Sequence, residues 1–379
     1  MSDQATVLAG VPAENNMLYH RIRFSVGDPA AWIQWPDGRT LLIVRDIEMA
    51  RARRRARADQ VACPADFEPA GGLSGDRPVA TAQALAEALR QRGVGRARTD
   101  RSLPMVFAHC LQEAGIGLSC DLELGVLERR TKDEQEIQWL REAQAATESA
   151  VELACATIAS AEADSEGRLM HRGEVLTSES VRQLIDIHLL KAGLNNPTAI
   201  VACADHAADC HEYGSGPLRT SQTVIVDIFP RHRESRYNGD CTRTVVHGEI
   251  SPEITTLHEA VVAAKAAAIA ATRAGVSGEQ VHDATLASLR QKGFDGGRPG
   301  DQKQRAVMYH GTGHGVGLDV HEPPLLHPGG ETLVAGDVVT IEPGLYHEGV
   351  GGVRVEDMVV VTETGIENLN RLHEGLVWA

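Results

Sequence analysis

Four acidic residues interrupt segments of the chain whose other residues are typical of buried β-strands. They are Asp227 in TVIVDIF, Asp240 before CTRTVV, Glu342 in VVTIE and Glu356 before DMVVV. A buried carboxylate costs free energy unless a cation, a metal ion or hydrogen-bond donors compensate its charge. For a single acid of this kind, a solvent-exposed position at a strand end is as good an interpretation as a functional site. Four such acids favour a shared cation-binding site.

A segment rich in histidine and glycine, YHGTGHGVGLDVHEPP, supplies further candidate ligands. His310 and His314 are four residues apart, which would suit a zinc-binding helix, but the four glycines at alternate positions from 311 to 317 make a helix very costly. In an extended chain the two histidines still share a face, because even spacings project together. Glycine also lets the backbone approach a bound ion closely. We therefore expect an extended or looped segment.

Four carboxylates and one imidazole form an oxygen-rich donor set with a single nitrogen. Such a set suits two divalent ions, Mn²⁺, Co²⁺ or Zn²⁺, better than one thiolate-bound zinc. Carboxylates can bridge two ions, and an ion pair can generate hydroxide at neutral pH and polarise a carbonyl. The sequence has no HExxH, GxSxG, Walker loop or well-formed GxGxxG motif. It therefore lacks the motifs that define zincins, serine hydrolases, nucleotide hydrolases and Rossmann proteins.

The elements that precede these motifs predict a smaller α/β domain. Residues 31–57 are typical of strand, turn, strand and helix: AWIQW, PDGR, TLLIV and an Ala- and Arg-rich segment. That segment contains RARRRAR, residues 51–57, which we interpret as a solvated helix face rather than an anion-binding patch, since acidic residues lie nearby. TAQALAEALRQRG predicts an amphipathic helix that ends at Gly93.

A charged segment, ERRTKDE, marks the predicted domain boundary, and we assign residues 1–128 to the first domain and 129–379 to the second. Beyond it we expect helices over 134–161, 179–192 and 253–273, interleaved with β-branched runs that predict antiparallel strands. The predicted fold class is therefore α+β for the second domain, preceded by an α/β domain.

Composition excludes several classes of protein. The chain has 379 residues, with 37 Lys and Arg against 52 Asp and Glu, and the net charge of −15 argues against nucleic-acid binding. The Ala-rich stretch from Ala260 to Ala271 is too short to span a bilayer, and the first twenty residues contain no apolar run. We expect a cytoplasmic protein without a membrane partner. The seven scattered cysteines predict reduced thiols.

The order Asp, Asp, His, Glu, Glu within VDIF, GDCTRT, GTGHGVGLDVHE, IEPGLY and VRVED resembles the pita-bread metallopeptidases, which include Xaa-Pro aminopeptidases, prolidases and methionine aminopeptidases. The similarity covers roughly residues 130–379, and the part before it resembles the N-terminal domain of the proline-specific members. The resemblance implies a pita-bread second domain that binds two divalent metal ions, with Mn²⁺ favoured.

The resemblance also implies a role for each matching metal ligand: Asp227 chelating one ion, His314 and Glu342 binding the other, Asp240 and Glu356 bridging the two. Glu342 would in addition handle the proton of the attacking water. Thr242, two residues after Asp240, would hydrogen-bond the bound water or a neighbouring ligand. Cys241 is expected to point to the opposite strand face and is not counted as a ligand.

The residues that match the non-ligand positions of the family are expected around the substrate. His211, His310 and His321 would face the substrate and stabilise the tetrahedral intermediate or assist proton transfer. Arg354 would orient the bridging carboxylate of Glu356, and Tyr346 would shape the site. The remaining histidines near the motifs are expected on the surface or behind the ligands: His206, His232, His247, His327 and His347.

Two departures from the family pattern bear on specificity. The loop between Asp227 and Asp240 is longer than usual, and Phe229 and Pro230 replace a small residue, which would reshape the rim of the site. Dipeptide-specific prolidases tend to carry an arginine near the position of Leu325, where it holds the carboxylate of the substrate. An apolar residue there favours an aminopeptidase, although a cation from a partner subunit is a further possibility.

The leading hypothesis is an Xaa-Pro aminopeptidase that acts on proline-containing peptides and forms a homodimer. An Xaa-Pro dipeptidase is the main alternative. A creatinase-like hydrolase is disfavoured because that branch dispenses with the metal ligands, and a non-catalytic peptide-binding relative is disfavoured because ligands, histidines and Arg354 are all retained. Methionine aminopeptidases generally lack such an N-terminal domain.

Overall fold

The computed structural model describes residues 4–378, which fold into two compact units; the first ends at Arg129 and the second begins at Arg130. The first unit contains a six-stranded mixed sheet in the order β4-β3-β2-β1-β5-β6. Its strands are β1 (Gln4–Gly10), β2 (Ala30–Gln34), β3 (Thr40–Ile43), β4 (Gln60–Ala62), β5 (Arg96–Thr99) and β6 (Gly117–Cys120). Its helices are α1 (Asn16–Ile22), α2 (Met49–Arg55), α3 (Arg77–Gln91), α4 (Met105–Glu113) and α5 (Val126–Arg130).

The helices of the first unit cover the sheet with apolar side chains. Helix α3 begins at Arg77, where the side chain of Asp76 accepts a hydrogen bond from Val79 N, and it buries Leu85 and Leu89 against the sheet strands β1 and β2. The arginines of helix α2 are exposed, whereas Ala52 between them is buried. This arrangement agrees with the interpretation of RARRRAR as a solvated helix face.

The second unit has long helices that begin at well-formed caps. These helices are α6 (Glu134–Ala159), α7 (Ser178–Lys191), α8 (Pro252–Ala271) and α9 (Gly278–Gln291). Helix α6 starts with a capping box in which the side chains of Asp133 and Glu136 each accept from the other residue's backbone N–H. The helices expected over 134–161, 179–192 and 253–273 are therefore present, with ends that differ by one or two residues.

The strands of the second unit form several small sheets. They are β7 (Glu162–Ala163), β8 (Leu169–His171), β9 (Glu174–Val175), β10 (Leu194–Asn195), β11 (Ala199–Cys203), β12 (Thr223–Ile228), β13 (Arg231–His232), β14 (Cys241–Val246), β15 (Asp295–Gly296), β16 (Val307–Met308), β17 (Gly313–Gly315), β18 (Glu322–Leu326), β19 (Val338–Ile341), β20 (Gly344–His347), β21 (Gly351–Arg354), β22 (Asp357–Val361) and β23 (Ile366–Asn368). The fold class is α+β, as expected.

Three of these sheets carry candidate site residues. Strand β12 lies between β11 and β14 with antiparallel pairing on both sides, and Asp227 is paired with Thr242. A second sheet has the order β18-β17-β19-β22-β23 and places His314 opposite Leu325. A third has the order β15-β16-β20-β21 and ends at Arg354. The packing of these sheets brings strand ends from distant parts of the chain to one place.

Helix α8 is the one helix among residues 4–378 that is long and apolar enough, by length and composition, to cross a membrane. It is longer than the expected Ala-rich stretch because it starts at Pro252. Leu257, Ala260 and Ala264 of this helix pack into an apolar core cluster, and Lys265 is buried in an ion pair with Asp357. The helix thus buries one face inside the second unit.

Candidate metal and peptide site

The five predicted metal ligands, three histidines and Arg354 all line one cavity of about 700 Å³, whereas Thr242 and Tyr346 are buried and do not line it. The lining includes Asp227, Asp240, His314, Glu342, Glu356, His211, His310, His321 and Arg354. Cys241 does not line it; the residue is fully buried, and its thiol contacts Arg243 and Asn370 away from the cavity, as expected for the opposite strand face.

The acids occupy strand ends more often than strand interiors. Asp227 lies within β12, but Asp240 and Glu356 each directly precede a strand and Glu342 directly follows one. The expected continuous strand VRVEDMVVVT is broken at Val355 and Glu356 into β21 and β22. A residue just outside a strand is free of the alternation that a ladder imposes, so its side chain can turn toward the cavity.

Glycines bring the histidine strand close to its neighbours. A Cβ atom on Gly313 would lie 2.0 Å from the carbonyl oxygen of Thr340, and one on Gly315 would lie 2.5 Å from that of Glu322. Neither position has room for a side chain. The segment is extended, as expected, and its glycines allow β17 to carry His314 into the space between the acids.

The ring of His314 directs a lone pair toward two carboxylates. Its Nδ1 lies 3.2 Å from the carbonyl oxygen of Gly315, which can only accept, so Nδ1 carries the proton. Its Nε2 lies 3.7 Å from Oδ2 of Asp240 and 3.5 Å from Oε1 of Glu342. Burial, with His321 nearby, lowers the pKa of His314 to about 3, which keeps the ring neutral. A neutral nitrogen that faces carboxylates is arranged for a cation between them.

The carboxylates repel one another at this point. Burial, together with Glu356, raises the pKa of both Asp240 and Glu342, and burial together with Asp227 raises that of Glu356 to about 8. Oδ1 of Asp227 is buried and has no hydrogen-bond partner among the described residues. Ligand atoms of Asp240, His314 and Glu356 lie within 4.8 Å of one another. This donor set fits divalent cations, which would remove the repulsion and occupy the orphaned oxygen.

Arg354 contacts a different acid from the one expected. Its Nη2 donates to Oδ2 of Asp227 at 2.7 Å, and Nη1 donates to the hydroxyl of Tyr346 at 2.9 Å. Arg354 makes no direct hydrogen bond to Glu356, but its Nε donates to the hydroxyl of Thr242 at 3.4 Å, so its expected role in orienting Glu356 stays a prediction. Glu356 is instead held by Thr242, whose hydroxyl donates to Oε2 at 2.8 Å.

His310 is fully engaged within the protein. Its Nδ1 lies 2.7 Å from the carbonyl oxygen of Gly311 and therefore carries the proton, and its Nε2 accepts from the hydroxyl of Tyr346 at 2.8 Å. Burial, with Arg354 nearby, lowers the pKa of His310 to about 3. The expected hydrogen bond from His310 to a substrate has no free nitrogen in this arrangement. His310 thus orients Tyr346, which does not line the cavity itself, so the role expected for Tyr346 stays a prediction.

Two of the expected histidines remain at the mouth of the cavity. His321 and His211 both line the cavity and remain accessible to solvent, and the His321 ring centroid lies 4.1 Å from that of His314. The partial burial of the ring, with His211 nearby, lowers the pKa of His321. His321 is therefore a neutral imidazole beside the acids.

The rim contains apolar and aromatic residues that sequence analysis did not single out. These are Ile200, Cys210, Tyr213 and Val320, which join the expected Phe229 and Leu325. His327 also lines the cavity, whereas His206, His232, His247 and His347 do not. Isolated residues of these types give no signal in sequence, since their position depends on loops that converge from remote segments.

The sequence from 138 to 363 matches the model of metallopeptidase family M24. The chain is 36% identical over 180 residues to a Mycobacterium bovis protein named "Probable dipeptidase PepE", a match covering 47% of this chain and 45% of that protein. It is 31% identical over 180 residues to an Xaa-Pro dipeptidase of Pyrococcus furiosus, covering 47% and 48%. The chain thus matches about half the length of these relatives.

The fold is similar to that of an X-Pro aminopeptidase from Thermotoga maritima MSB8, with a TM-score of 0.79 and 21% identity over 98% of this chain and 96% of that one. That likeness covers both units and supports the expected architecture, a pita-bread second domain after a smaller α/β domain. Since the family model matches more than half of the chain, the protein belongs to metallopeptidase family M24.

Proposed function

We propose that this protein is a dinuclear metal-dependent exopeptidase that hydrolyses the bond before proline at peptide N-termini. The observation that carries the proposal is the convergence of Asp240, Glu342 and Glu356 on His314, at a place where no Lys or Arg among residues 4–378 forms an ion pair with these three acids. Buried acids with raised pKa values are a frequent mark of a functional site.

Mn²⁺ is the favoured metal, with Co²⁺ and Zn²⁺ as alternatives, because four carboxylates and one imidazole are a mainly hard donor set. When bound, two such ions would supply Lewis acidity toward a peptide carbonyl and lower the pKa of water. Asp227, Asp240, His314, Glu342 and Glu356 would hold them. A crystal structure grown with Mn²⁺ is expected to place two ions about 3.5–4 Å apart among these side chains; five dispersed side chains would contradict the proposal.

Side chains of the protein would carry out the proton transfer, the hydrogen bonding to the substrate and the orientation of the metal ligands. Glu342 would take the proton of the attacking water and pass it to the prolyl nitrogen. His321 is kept neutral, so it can donate one hydrogen bond to the oxygen that gains charge. Arg354 donates hydrogen bonds to Asp227 and to the hydroxyl of Tyr346, and it thereby holds the carboxylate of Asp227 in place. The prolyl nitrogen has no N–H, so selection of proline depends on pocket shape.

The lining of the cavity supports an aminopeptidase. Among the lining residues that the structure describes, Arg354 is the only one with an ammonium or guanidinium group, and it is committed to Asp227 and Tyr346. A dipeptide would place its free carboxylate one residue from the scissile bond, where Leu325 offers no charge. A continuing peptide chain carries no such carboxylate.

An Xaa-Pro dipeptidase is the second candidate, because the Pyrococcus furiosus relative carries that name. The test uses purified Mn²⁺-loaded protein with Xaa-Pro dipeptides and Xaa-Pro-Yaa tripeptides of matched Xaa. Tripeptides are expected to be cleaved with the higher kcat/KM. Cleavage of dipeptides only would favour the second candidate, and cleavage of neither would support a non-catalytic peptide-binding protein.

The remaining parts of the proposal concern the setting of the enzyme. We propose a homodimer in the cytoplasm, with proline-containing peptides as partners and no nucleic acid or membrane. The net charge of −15 supports the exclusion of nucleic acid. Sedimentation velocity of the purified protein tests the dimer, and fractionation of cells tests the location.

A further inference from the structure

The backbone of Asp240 is held by a side chain that lies outside the cavity. Gln144, on helix α6, is fully buried; its Nε2 donates to the carbonyl oxygen of Asp240 at 2.7 Å, and its Oε1 accepts from Asp240 N at 2.8 Å. The amide thus pairs with both polar groups of one residue, as a neighbouring strand would. Because one partner donates and the other accepts, the orientation of the Gln144 amide is fixed.

Asn370 links this amide to the segment that carries Glu356. Its Oδ1 accepts from Gln144 Nε2 at 2.9 Å and from the backbone N of Met358 at 2.8 Å. Met358 lies two residues after Glu356 at the start of β22. Two donors meet at this oxygen, which fixes the Asn370 amide in turn. A chain of hydrogen bonds therefore runs from the backbone of Asp240 to the backbone beyond Glu356.

Arg243 makes a second link between the same two segments. The side chain is fully buried, and its Nη1 donates to the carbonyl oxygens of Thr242 and Glu356. Its Nε donates to the carbonyl of His373 at 2.9 Å, and its Nη2 to that of Leu372 at 2.9 Å. Residues 370–373 thus hydrogen-bond, directly or through Arg243 and Gln144, to the two segments that contain Asp240 and Glu356.

We propose that Gln144 and Asn370 are positioning residues for the metal site, because their amides set the distance between the backbones of Asp240 and Glu356. Neither residue lines the cavity, so neither contacts substrate or metal. The inference rests on the proposed metal-binding function. Groups that orient metal ligands without touching the metal typically affect affinity by about 10- to 100-fold.

The test measures Mn²⁺ binding to the full chain by equilibrium dialysis, with the apo melting temperature of each variant recorded in parallel. Gln144→Leu and Asn370→Leu remove the amide links and are expected to weaken Mn²⁺ binding by about tenfold or more. Asn370→Asp keeps both acceptor contacts and loses only the contact of Nδ2 with the thiol of Cys241, so it is expected to bind Mn²⁺ nearly as the unchanged protein does. Arg371→Ala is the neighbouring control, since that side chain is exposed.

A second control separates positioning from general loss of stability. Val181→Ala creates a cavity in a fully buried part of helix α7 and lowers the melting temperature without touching the links to Asp240. It is expected to bind Mn²⁺ normally. If it weakens binding as much as Asn370→Leu does at equal loss of stability, or if Gln144→Leu binds normally, the positioning role is overturned while the metal site stands. Failure of the unchanged protein to bind Mn²⁺ would overturn the proposed function itself.

Discussion

Glu356 and Asp357 are adjacent in sequence and both buried, yet their surroundings are opposite. Glu356 faces the cavity among other acids, and burial with the charge of Asp227 raises its pKa to about 8. Burial alone would raise the pKa of Asp357 too, but Lys265 and Arg243 lower it below the ordinary value. Lys265 Nζ lies 2.5 Å from its Oδ2, and Arg243 Nη2 lies 2.9 Å from its Oδ1.

The difference separates two uses of a buried carboxylate. Asp357 is neutralised by cations that the chain itself provides, so its charge belongs to the stability of the fold. Within the part of the chain that the structure describes, the one ion pair between a Lys or Arg and the acids around Glu356 is that of Arg354 with Asp227. A carboxylate cluster without enough cations from the chain requires an external cation for full ionisation. Its charges therefore serve cation binding rather than the stability of the fold.

The largest expected effect comes from Glu342→Gln, which alters the chemistry of the acidic cluster and leaves the Asp357 cluster intact. The variant should fold normally and lose activity by about 10²- to 10⁴-fold, because the amide cannot accept the proton of water. Rates with an Xaa-Pro-Yaa tripeptide and a melting curve provide the measurement. Near-normal turnover would show that another group accepts the proton.

Substitution of one acid in each cluster tests the comparison directly. Asp357→Asn should destabilise the protein by about 3 kcal/mol with or without metal, because it removes the charge that Arg243 and Lys265 share and leaves Lys265 with Glu374 alone. Asp240→Asn should raise the melting temperature in EDTA, where it relieves repulsion, and should lower it relative to the unchanged protein in Mn²⁺.

Both variants are measured by differential scanning calorimetry at fixed pH, first in EDTA and then with excess Mn²⁺. If Asp240→Asn destabilises the metal-free protein as strongly as Asp357→Asn does, then the acidic cluster is compensated by groups of the chain. The contrast between the clusters would then be lost.

A smaller effect is expected at the rim. Leu325→Arg adds a cation beside His314, its partner in the strand pairing, and should shift the ratio of kcat/KM values toward dipeptides by about tenfold. Leu325→Met is the matched control, since it keeps an apolar side chain of similar size. An unchanged ratio in the arginine variant would mean that the substrate carboxylate lies elsewhere.

Much of the fold was predictable where a signal is local. Helix α6 was expected from the apolar face that follows the charged segment ERRTKDE, and it extends from Glu134 to Ala159. Strands of two residues, such as β10 and β13, were not predictable because their pairing with each other joins positions 194–195 and 231–232. Nothing in a dipeptide specifies a partner that lies so far along the chain.

The site residues also divide into those with a local signal in the sequence and those without one. Acids in apolar segments stand out, and the five expected ligands all reach the cavity. The partner of Arg354 was not predictable, since two residues of spacing suggested Glu356 and tertiary packing supplied Asp227. Gln144 carried a weak signal as an amide inside an apolar helix face, whereas Asn370 lies in a polar segment without any signal.

The glycines of β17 have a consequence for how this site can change over generations. Because Gly313 and Gly315 leave no space for a Cβ atom, the strand that carries His314 lies directly against its neighbours, and a side chain at either glycine would displace backbone. The rim is not held in this way, since Ile200, Tyr213 and Leu325 lie on other segments. Substitutions at the rim can therefore change substrate preference while the position of His314 is kept.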